Sequence, residues 1–334
     1  MSRYLITGGL GHIGTKLTNT LVAAGHQIRV IDNLSTGQRG SVTADCQVVP
    51  GDINDSTLIS EVMAGVDGCF HLATSNKSSG QDNDDIGYNN LQGMINVLTA
   101  AKNKAGIAPV PVVYASSSIT YGDNAHTSLG EDVMARPLTS AAADKVSIEL
   151  RARVATLAHG IPTTGLRLFS IYGHDPYSAT PGNGVIATFM KRLLNGQAIT
   201  IYGDGHQTRD FVYLDDAVAF FITAMSQPAR QPVIYNVCTG TQTSIQQLAR
   251  MLCSLCGKPV EIRHTPARKG DIRSSVGNPE RAIHHLGVRA RTTLAHGLKQ
   301  MLARQSGDTS IGKHSDAAGA GQLHGLLNPS VVNT

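Results

Sequence analysis

A doubly wound α/β fold, a parallel Rossmann sheet with a smaller C-terminal α/β lobe, is what this sequence predicts. Three observations carry the prediction. Short β-rich runs alternate with helical patterns through the first half of the chain. A glycine-rich turn, Gly8-Gly9-Leu10-Gly11-His12-Ile13-Gly14, joins the first run to the first helical pattern. The 334 residues are 41% hydrophobic, which supplies core for about two domains. Strand–helix alternation at this spacing lays parallel strands side by side with helices on both faces.

Taken in order, strands are expected at Arg3–Thr7, Gln27–Ile31, Gln47–Val49, Gly68–Leu72, Val110–Ala115 and Thr163–Phe169. Helices are expected at Ile13–Ala24, Ser56–Met63, Asp84–Lys104 and Thr139–His159. The second half mixes helical patterns at Val185–Asn195, Leu214–Met225, Ser244–Leu255 and Thr292–Leu302 with short strands. Those strands lie near Ile199–Tyr202, Asp210–Val212, Val233–Val237 and Val260–Arg263. The expected division is a dinucleotide-binding domain over 1–170, a substrate lobe over 171–305 that partly returns to the sheet, and a tail over 306–334. The tail is rich in Gly, Ala, Ser and Asn, a composition that buries little apolar surface.

Composition narrows the function. Charged residues make up 16% and the net charge is +4, which gives no reason to expect nucleic acid as partner. Five cysteines form no disulfide framework, so a reducing, cytoplasmic setting is expected. Cys253-Ser-Leu-Cys256 is a lone pair inside an apolar helical pattern. Without a second ligand pair it reads as part of a helix, with no metal expected. No stretch approaches the roughly 18 apolar residues of a membrane span, and Met1-Ser2-Arg3 leads directly into the first strand without a secretory apolar core.

The glycine loop has a strand before it and a helix after it, the context a dinucleotide site needs. Gly8 permits the tight turn, Gly11 lets backbone approach a pyrophosphate, and Gly14 allows close helix packing. Phosphates would sit at the helix start, beside His12 and Ile13, at the positive end of its dipole. Asp32 ends the second strand 18 residues beyond Gly14. A carboxylate there, followed by Asn33, would take the adenosine-ribose hydroxyls and repel a 2′-phosphate, favouring NAD over NADP.

These features continue into a longer resemblance. The stretches Val30-Ile31-Asp32-Asn33-Leu34-Ser35-Thr36-Gly37, Gly51-Asp52-Ile53, Phe70-His71-Leu72-Ala73 and Tyr88-Asn89-Asn90-Leu91-Gln92-Gly93 belong to it. So do Ala115-Ser116-Ser117-Ser118-Ile119-Thr120-Tyr121-Gly122, Leu166-Arg167-Leu168-Phe169-Ser170-Ile171-Tyr172-Gly173, Tyr202-Gly203-Asp204-Gly205, Arg209-Asp210-Phe211-Val212 and Arg268-Lys269-Gly270-Asp271. From about Arg3 to Leu302 the chain resembles the extended short-chain dehydrogenase/reductase family, and within it the UDP-glucose 4-epimerases and related UDP-hexose epimerases. The resemblance implies a bound NAD, a UDP-sugar substrate and a homodimer formed through the helices over Asp84–Lys104 and Thr139–His159.

It also implies roles. Asp52 and Ile53 would hold the adenine, and Leu72, Ala73, Asn90 and Phe169 would border the cofactor. Ser117 matches the active-site Ser/Thr, and Lys145 would bind the nicotinamide ribose. Tyr202 would pack on the uracil, Arg209 and Arg268 would grip the diphosphate, and Asp271 would bind the uridine ribose. Ser170, Val185 and Ser275 would complete the substrate site.

One position breaks the pattern. In Pro137-Leu138-Thr139-Ser140-Ala141-Ala142-Ala143-Asp144-Lys145 the family's catalytic tyrosine position holds Ala141. The resemblance implies that this tyrosine would be the general base for the sugar 4-hydroxyl, its pKa lowered by the lysine ammonium and the nicotinamide charge. It implies a bound NAD that would take hydride from sugar C4 and give it back to the opposite face. Positions 141 and 145 lie one turn apart on one helix face, and an alanine methyl moves no proton. No tyrosine lies between Tyr121 and Tyr172, so no register shift restores the phenol. The intact flanks suggest a deliberate Tyr→Ala change. A natural variant using water or Asp144 as base is the alternative, although Asp144 points roughly 100° away from Lys145.

Neighbouring residues bear on the reaction. Dehydratases of the family resemble one another in an Asp-Glu pair after the active-site Thr, and decarboxylating relatives place a Glu there. This chain has Ser118-Ile119, so epimerisation is favoured. Ser275, seven residues beyond Arg268, is small where an aromatic excludes N-acetyl sugars, which leaves room for a 2-acetamido group. Ser170 replaces the usual Asn, so the diphosphate pose is expected to differ.

Overall fold

The computed structural model describes residues 1–37, 39–74, 83–102, 108–124, 128–173, 184–257, 260–268 and 270–306. The expected tail beyond 306 lies outside the described residues.

In the first half, β1 (Arg3–Thr7), α1 (His12–Ala23), β2 (Gln27–Asp32), β3 (Gln47–Pro50), α2 (Ser56–Met63), β4 (Gly68–His71), α3 (Asn83–Ala101), β5 (Val112–Ser117), α4 (Ser140–His159) and β6 (Thr163–Leu168) follow one another. The later elements are β7 (Ser170–Tyr172), α5 (Val185–Leu194), β8 (Ile199–Tyr202), β9 (Thr208–Arg209), β10 (Phe211–Tyr213), α6 (Leu214–Ser226) and β11 (Val233–Val237). They continue with β12 (Thr243–Ser244), α7 (Ile245–Cys256), β13 (Ile262–Thr265), β14 (Ser274–Ser275), α8 (Glu280–Leu286) and α9 (Leu294–Ser306).

Seven strands form one sheet in the order β11-β6-β5-β4-β1-β2-β3. The pairs β1/β2, β1/β4, β2/β3 and β4/β5 are parallel. Chain order reverses between β1 and β4, and the carboxyl ends of strands at such a reversal form the crevice where doubly wound proteins bind ligands. The strand ends are tied together there. Thr7 Oγ1 meets His71 Nδ1 at 2.8 Å and accepts from the Ala73 N–H at 3.2 Å.

The described chain divides into two units, each drawn from separate segments. The first comprises Met1–Thr120, Thr139–Arg167 and Val218–Tyr235; the second comprises Tyr121–Leu138, Leu168–Ala217 and Asn236–Thr334. The first unit is closed by Leu5, Ile31, Ile59, Met94, Val97, Val112, Ile148 and Ala152, all buried where α2, α3 and α4 cover the sheet. The second buries Phe189, Met190, Leu193, Ile199, Leu248, Leu252 and Leu298 among α5, β8, α7 and α9. Its small sheets pair β7 with β10, β8 with β13, and β9 with both β12 and β14.

Most element boundaries differ from expectation by one to four residues, and three of the shifts have clear local reasons. β5 begins at Val112, not Val110, because Pro111 has no N–H to give to a central ladder; the strand then runs through Ser116 and Ser117. Thr139 precedes α4 instead of starting it, and its side chain accepts from the Ala142 N–H. Ser244 likewise caps α7 in a reciprocal capping box with Gln247. Cys253 and Cys256 lie on α7, half-buried and in no disulfide. No helix among the described residues is long and apolar enough to cross a membrane.

Candidate active site

The glycine loop builds the first part of the site. Gly8 has φ 67°, a left-handed conformation that favours glycine. Its N–H bonds the Ile31 carbonyl at 2.8 Å, and its carbonyl accepts from the Gly11 N–H at 3.1 Å. A Cβ on Gly14 would lie 2.2 Å from the Gly8 oxygen, so only glycine allows helix and loop to touch. Gly11 is the N-cap of α1 and supplies no side-chain cap. The first turn, with His12 and Ile13, therefore opens where an anion is favoured.

Asp32 is buried at the end of β2. Its carboxylate accepts from the Leu10 N–H at 3.0 Å and the Leu34 N–H at 2.9 Å. Each oxygen keeps a second acceptor site, enough for two ribose hydroxyls. Leu34 is the one non-glycine residue at positive φ (60°) among the described residues, an outlier of the kind that gathers at binding turns. Asn33 Nδ2 reaches Asp52 at 3.2 Å, and Asn54 caps the same carboxylate through its N–H and side-chain amide. Partial burial raises the Asp52 pKa, but these three hydrogen bonds outweigh it and hold the carboxyl below its usual range. Asn96 on α3 donates to the Ile53 and Asn54 carbonyls, which fixes Ile53 against the helix. Leu72 bonds β1 through its N–H to the Thr7 carbonyl, Ala73 approaches Gly8 closely, and Asn90 is buried on α3. The donor set fits a dinucleotide: an open helix start for phosphates, a carboxylate for a ribose and an amide–carboxylate pair for a base.

Ser117 ends β5, and its Oγ accepts from the Ile119 N–H at 3.3 Å. Lys145 Nζ donates to the Ala115 carbonyl at 3.1 Å, which ties α4 to the strand two residues before Ser117. Loss of water around the ammonium lowers its pKa to about 8, against the opposing charges of Asp144 and Glu149. His71 is held near 3 by burial first and by the Lys145 charge second, so it stays neutral. Ala141 sits in the first turn of α4, exposed, one turn before Lys145.

A buried network beside Lys145 was not anticipated. Arg167 Nε and Nη2 donate to Glu149 Oε1 and Oε2 at 2.9 and 2.7 Å, and Ser116 Oγ donates to Oε1 at 2.6 Å. Glu149 lies one turn after Lys145, so the network joins α4, β5 and β6 beneath Ser117 and Lys145. Arg167 inside the apolar run of β6 was the available signal: a charge on a buried strand requires a partner.

The expected substrate residues fall in the second unit. Tyr202 closes β8 and is 40% exposed, with the Arg268 guanidinium 3.8 Å above its ring centroid. Arg209 Nη2 pairs with Asp271 at 2.7 Å, and its Nη1 donates to the Thr208 and Ile272 carbonyls. Asp210, also unanticipated, is fully buried. It accepts from Thr239 N–H, Thr239 Oγ1, Gly240 N–H and Gly277 N–H, while burial pushes its carboxyl up. Its backbone N–H bonds the Ser275 carbonyl and its carbonyl accepts from the Ser170 N–H, so one residue gathers two predicted substrate positions. Val185 opens α5, half-buried, and Phe169 is buried against Tyr121.

Residues 4–238 match the profile of the NAD dependent epimerase/dehydratase family. The chain belongs to that family. It is 32% identical over 308 residues to the UDP-glucose 4-epimerase of Mycolicibacterium smegmatis, covering 89% of this chain and 96% of the relative. Its fold is similar to that of UDP-glucose 4-epimerase from Thermotoga maritima, solved with UDP-glucose. That likeness has TM-score 0.84 and 28% identity, over 91% of this chain and 99% of the other. It is also similar to UDP-N-acetylglucosamine 4-epimerase from Methanobrevibacter ruminantium M1, solved with UDP-N-acetylmuramic acid. There the TM-score is 0.83 and the identity 25%, over the same shares. NAD dependence is the property by which that family is described.

Proposed function

We propose that the chain is built as a UDP-sugar 4-epimerase, acting on a UDP-hexose or UDP-N-acetylhexosamine, and that Ala141 leaves it binding substrate without turnover. The observation that carries this reading is the anchoring of Lys145 to β5 beside Ser117, one helical turn beyond Ala141. On this reading Lys145 and Ser117 are the family's lysine and serine, and Ala141 stands where its tyrosine would be. NAD would supply the hydride acceptor. Gly8, Gly11, His12, Ile13, Asp32, Asn33, Asp52, Ile53, Leu72, Ala73, Asn90 and Phe169 are the residues we assign to it.

On this reading Ser117 hydrogen-bonds the sugar 4-hydroxyl and Lys145 supplies a fixed positive charge. The proton of that hydroxyl has no side chain at position 141 to receive it. Loss of a positioned acid–base group lowers rate by about 10²–10⁴-fold. Tyr202, Arg209, Arg268 and Asp271 take the uridine diphosphate, as guanidinium forks suit phosphate oxygens. Ser170 and Val185 complete that site, and small, buried Ser275 leaves room for an acetamido group. Ser118 and Ile119 after Ser117 supply no second acid or base, which disfavours dehydration.

A homodimer is part of the proposal. Leu150, Val154 and Leu157 recur at helical spacing on α4 and are more than half exposed, an apolar stripe of the kind that marks an interface. Sedimentation of a Val154→Glu protein as monomer, against a dimer for the unmodified chain, is the expected result.

The test of function is an Ala141→Tyr protein given NAD with UDP-glucose, UDP-N-acetylglucosamine and UDP-glucuronate. C4 inversion of at least one is expected. Absence of inversion for all three, with normal UDP-sugar affinity, would instead favour a non-catalytic sugar-nucleotide sensor.

A further inference from the structure

A cavity of about 370 Å³ lies within the second unit, between the residues that follow β11, α8 and the segment joining α8 to α9. None of its lining residues is among those assigned above to NAD or to the nucleotide sugar. Pro279, Ile283 and Ala290 give it apolar walls, and Arg289 and Arg291 give it two guanidinium groups. No acidic residue lines it. Neither arginine forms a hydrogen bond or ion pair with another described residue. The acids of neighbouring elements are engaged elsewhere. Glu280 meets His284 at 3.2 Å, Glu131 and Asp132 meet Arg281, and Asp210 holds the Thr239 and Gly240 N–H groups. The frame is fixed. The Gly287 N–H bonds the Ile283 carbonyl at 3.1 Å, and the Thr292 N–H bonds Asp216 at 2.8 Å, so the arginine segment is pinned on both sides. Thr239, also in the lining, donates its hydroxyl to Asp210 at 2.7 Å and accepts from the Thr241 N–H at 3.0 Å. Anion recognition therefore falls to the two arginines.

We propose that this cavity is a second ligand site, for a small phosphate monoester with an apolar body. Two like charges without a counter-ion, set in a cleft with apolar walls, concentrate positive potential there. A phosphate monoester carries a charge of about −1.5 to −2 at neutral pH, so it balances both guanidinium groups where a carboxylate balances one. Guanidinium forks also match phosphate oxygens in bidentate fashion. The volume is at the low end of small-molecule sites, which run from roughly 300 to 1,000 Å³. It suits a single ring or short chain on the phosphate and is too small for a dinucleotide. Pro279, Ile283 and Ala290 would cover that body, whereas inorganic phosphate leaves them wet. The pinned frame lowers the cost of ordering the site on binding.

NMR titration of the full chain, with isoleucine and alanine methyls labelled, tests the site with phenyl phosphate as probe. The Ile283 and Ala290 methyls should shift to saturation with a Kd of about 1 mM or lower. Inorganic phosphate should bind there at least about ten-fold more weakly, for want of an apolar body. Phenylacetate, with one charge, should also bind more weakly than phenyl phosphate; equal affinity would overturn the choice of a dianion. Arg289→Gln and Arg291→Gln should each weaken phenyl phosphate at least about ten-fold, and the two changes together should abolish the shifts. Both side chains are exposed, so the fold should be kept, which far-UV circular dichroism checks. Arg268→Gln, a change at the residue assigned to the diphosphate, should leave the shifts in place. Methyls that do not move, or shifts that survive the double change, would overturn the proposal. So would shifts lost in Arg268→Gln, which would place the phosphate at the nucleotide-sugar residues instead.

Discussion

Replacing Glu149 by alanine should destabilise the protein by about 3–5 kcal/mol. The figure follows from the surroundings of the group removed. Arg167 and Glu149 have side-chain exposures of 6% and 7%, so water cannot replace the lost carboxylate. Two guanidinium N–H groups and the Ser116 hydroxyl lose their acceptor together. The buried charge left behind is the dominant loss. Removing both charged partners should restore most of it, since an apolar pair of similar volume is often neutral or better at such sites. The assay is urea unfolding by far-UV circular dichroism, which suits a chain without tryptophan. Glu149→Ala is compared with the double variant Glu149→Leu, Arg167→Met. A loss under about 1 kcal/mol for the single variant, or a double variant no better than the single, would show that no uncompensated buried charge is left behind. The same network underlies Ser117 and Lys145, so the single variant should also weaken NAD binding.

Gly14→Ala should reduce NAD affinity by more than ten-fold and lower the melting temperature, because the new methyl meets the Gly8 oxygen at 2.2 Å; calorimetric NAD titration checks it. Ser275→Tyr should weaken binding of UDP-N-acetylglucosamine while leaving UDP-glucose less affected, measured by competition between the two. The Lys145 pKa, about 8 in the fold against 10.5 unfolded, makes a signed pH prediction. Between those values the unfolded chain binds more protons, so this group adds stability as pH rises from 8 to 10.5. In Lys145→Met that contribution is absent, and its stability advantage at pH 7 should shrink by pH 10. An advantage constant with pH would contradict the shifted lysine.

Much of the first unit was legible because local and tertiary signals agree there. Arg3–Thr7 is an apolar run closed by a glycine turn, and strand and prediction coincide. β5 was displaced because a proline at 111 silences a ladder position that its apolar neighbours conceal. α4 was legible as a helix but not by its burial, since Leu150, Val154 and Leu157 face outward. α8 has seven residues, too few for a 3.6-residue period to emerge. The two-residue strands β9, β12 and β14 are defined by distant partners and leave no local trace. At the site, residue types in fixed order were readable: Gly8, Asp32, Ser117, Lys145, Arg209 and Arg268. What they contact was not. The stacking of Arg268 on Tyr202, the pairing of Arg209 with Asp271 and the burial of Asp210 and Glu149 all depend on residues far away in the chain.

On the proposed function, an epimerase scaffold is silenced at position 141. The most direct test compares C4 inversion of UDP-glucose or UDP-N-acetylglucosamine by the unmodified chain and by Ala141→Tyr, followed by proton NMR with NAD present. The expected result is binding by both proteins and inversion at least about 10²-fold faster with tyrosine. Inversion by the unmodified chain at an ordinary enzymatic rate of about 1–10³ per second would contradict it.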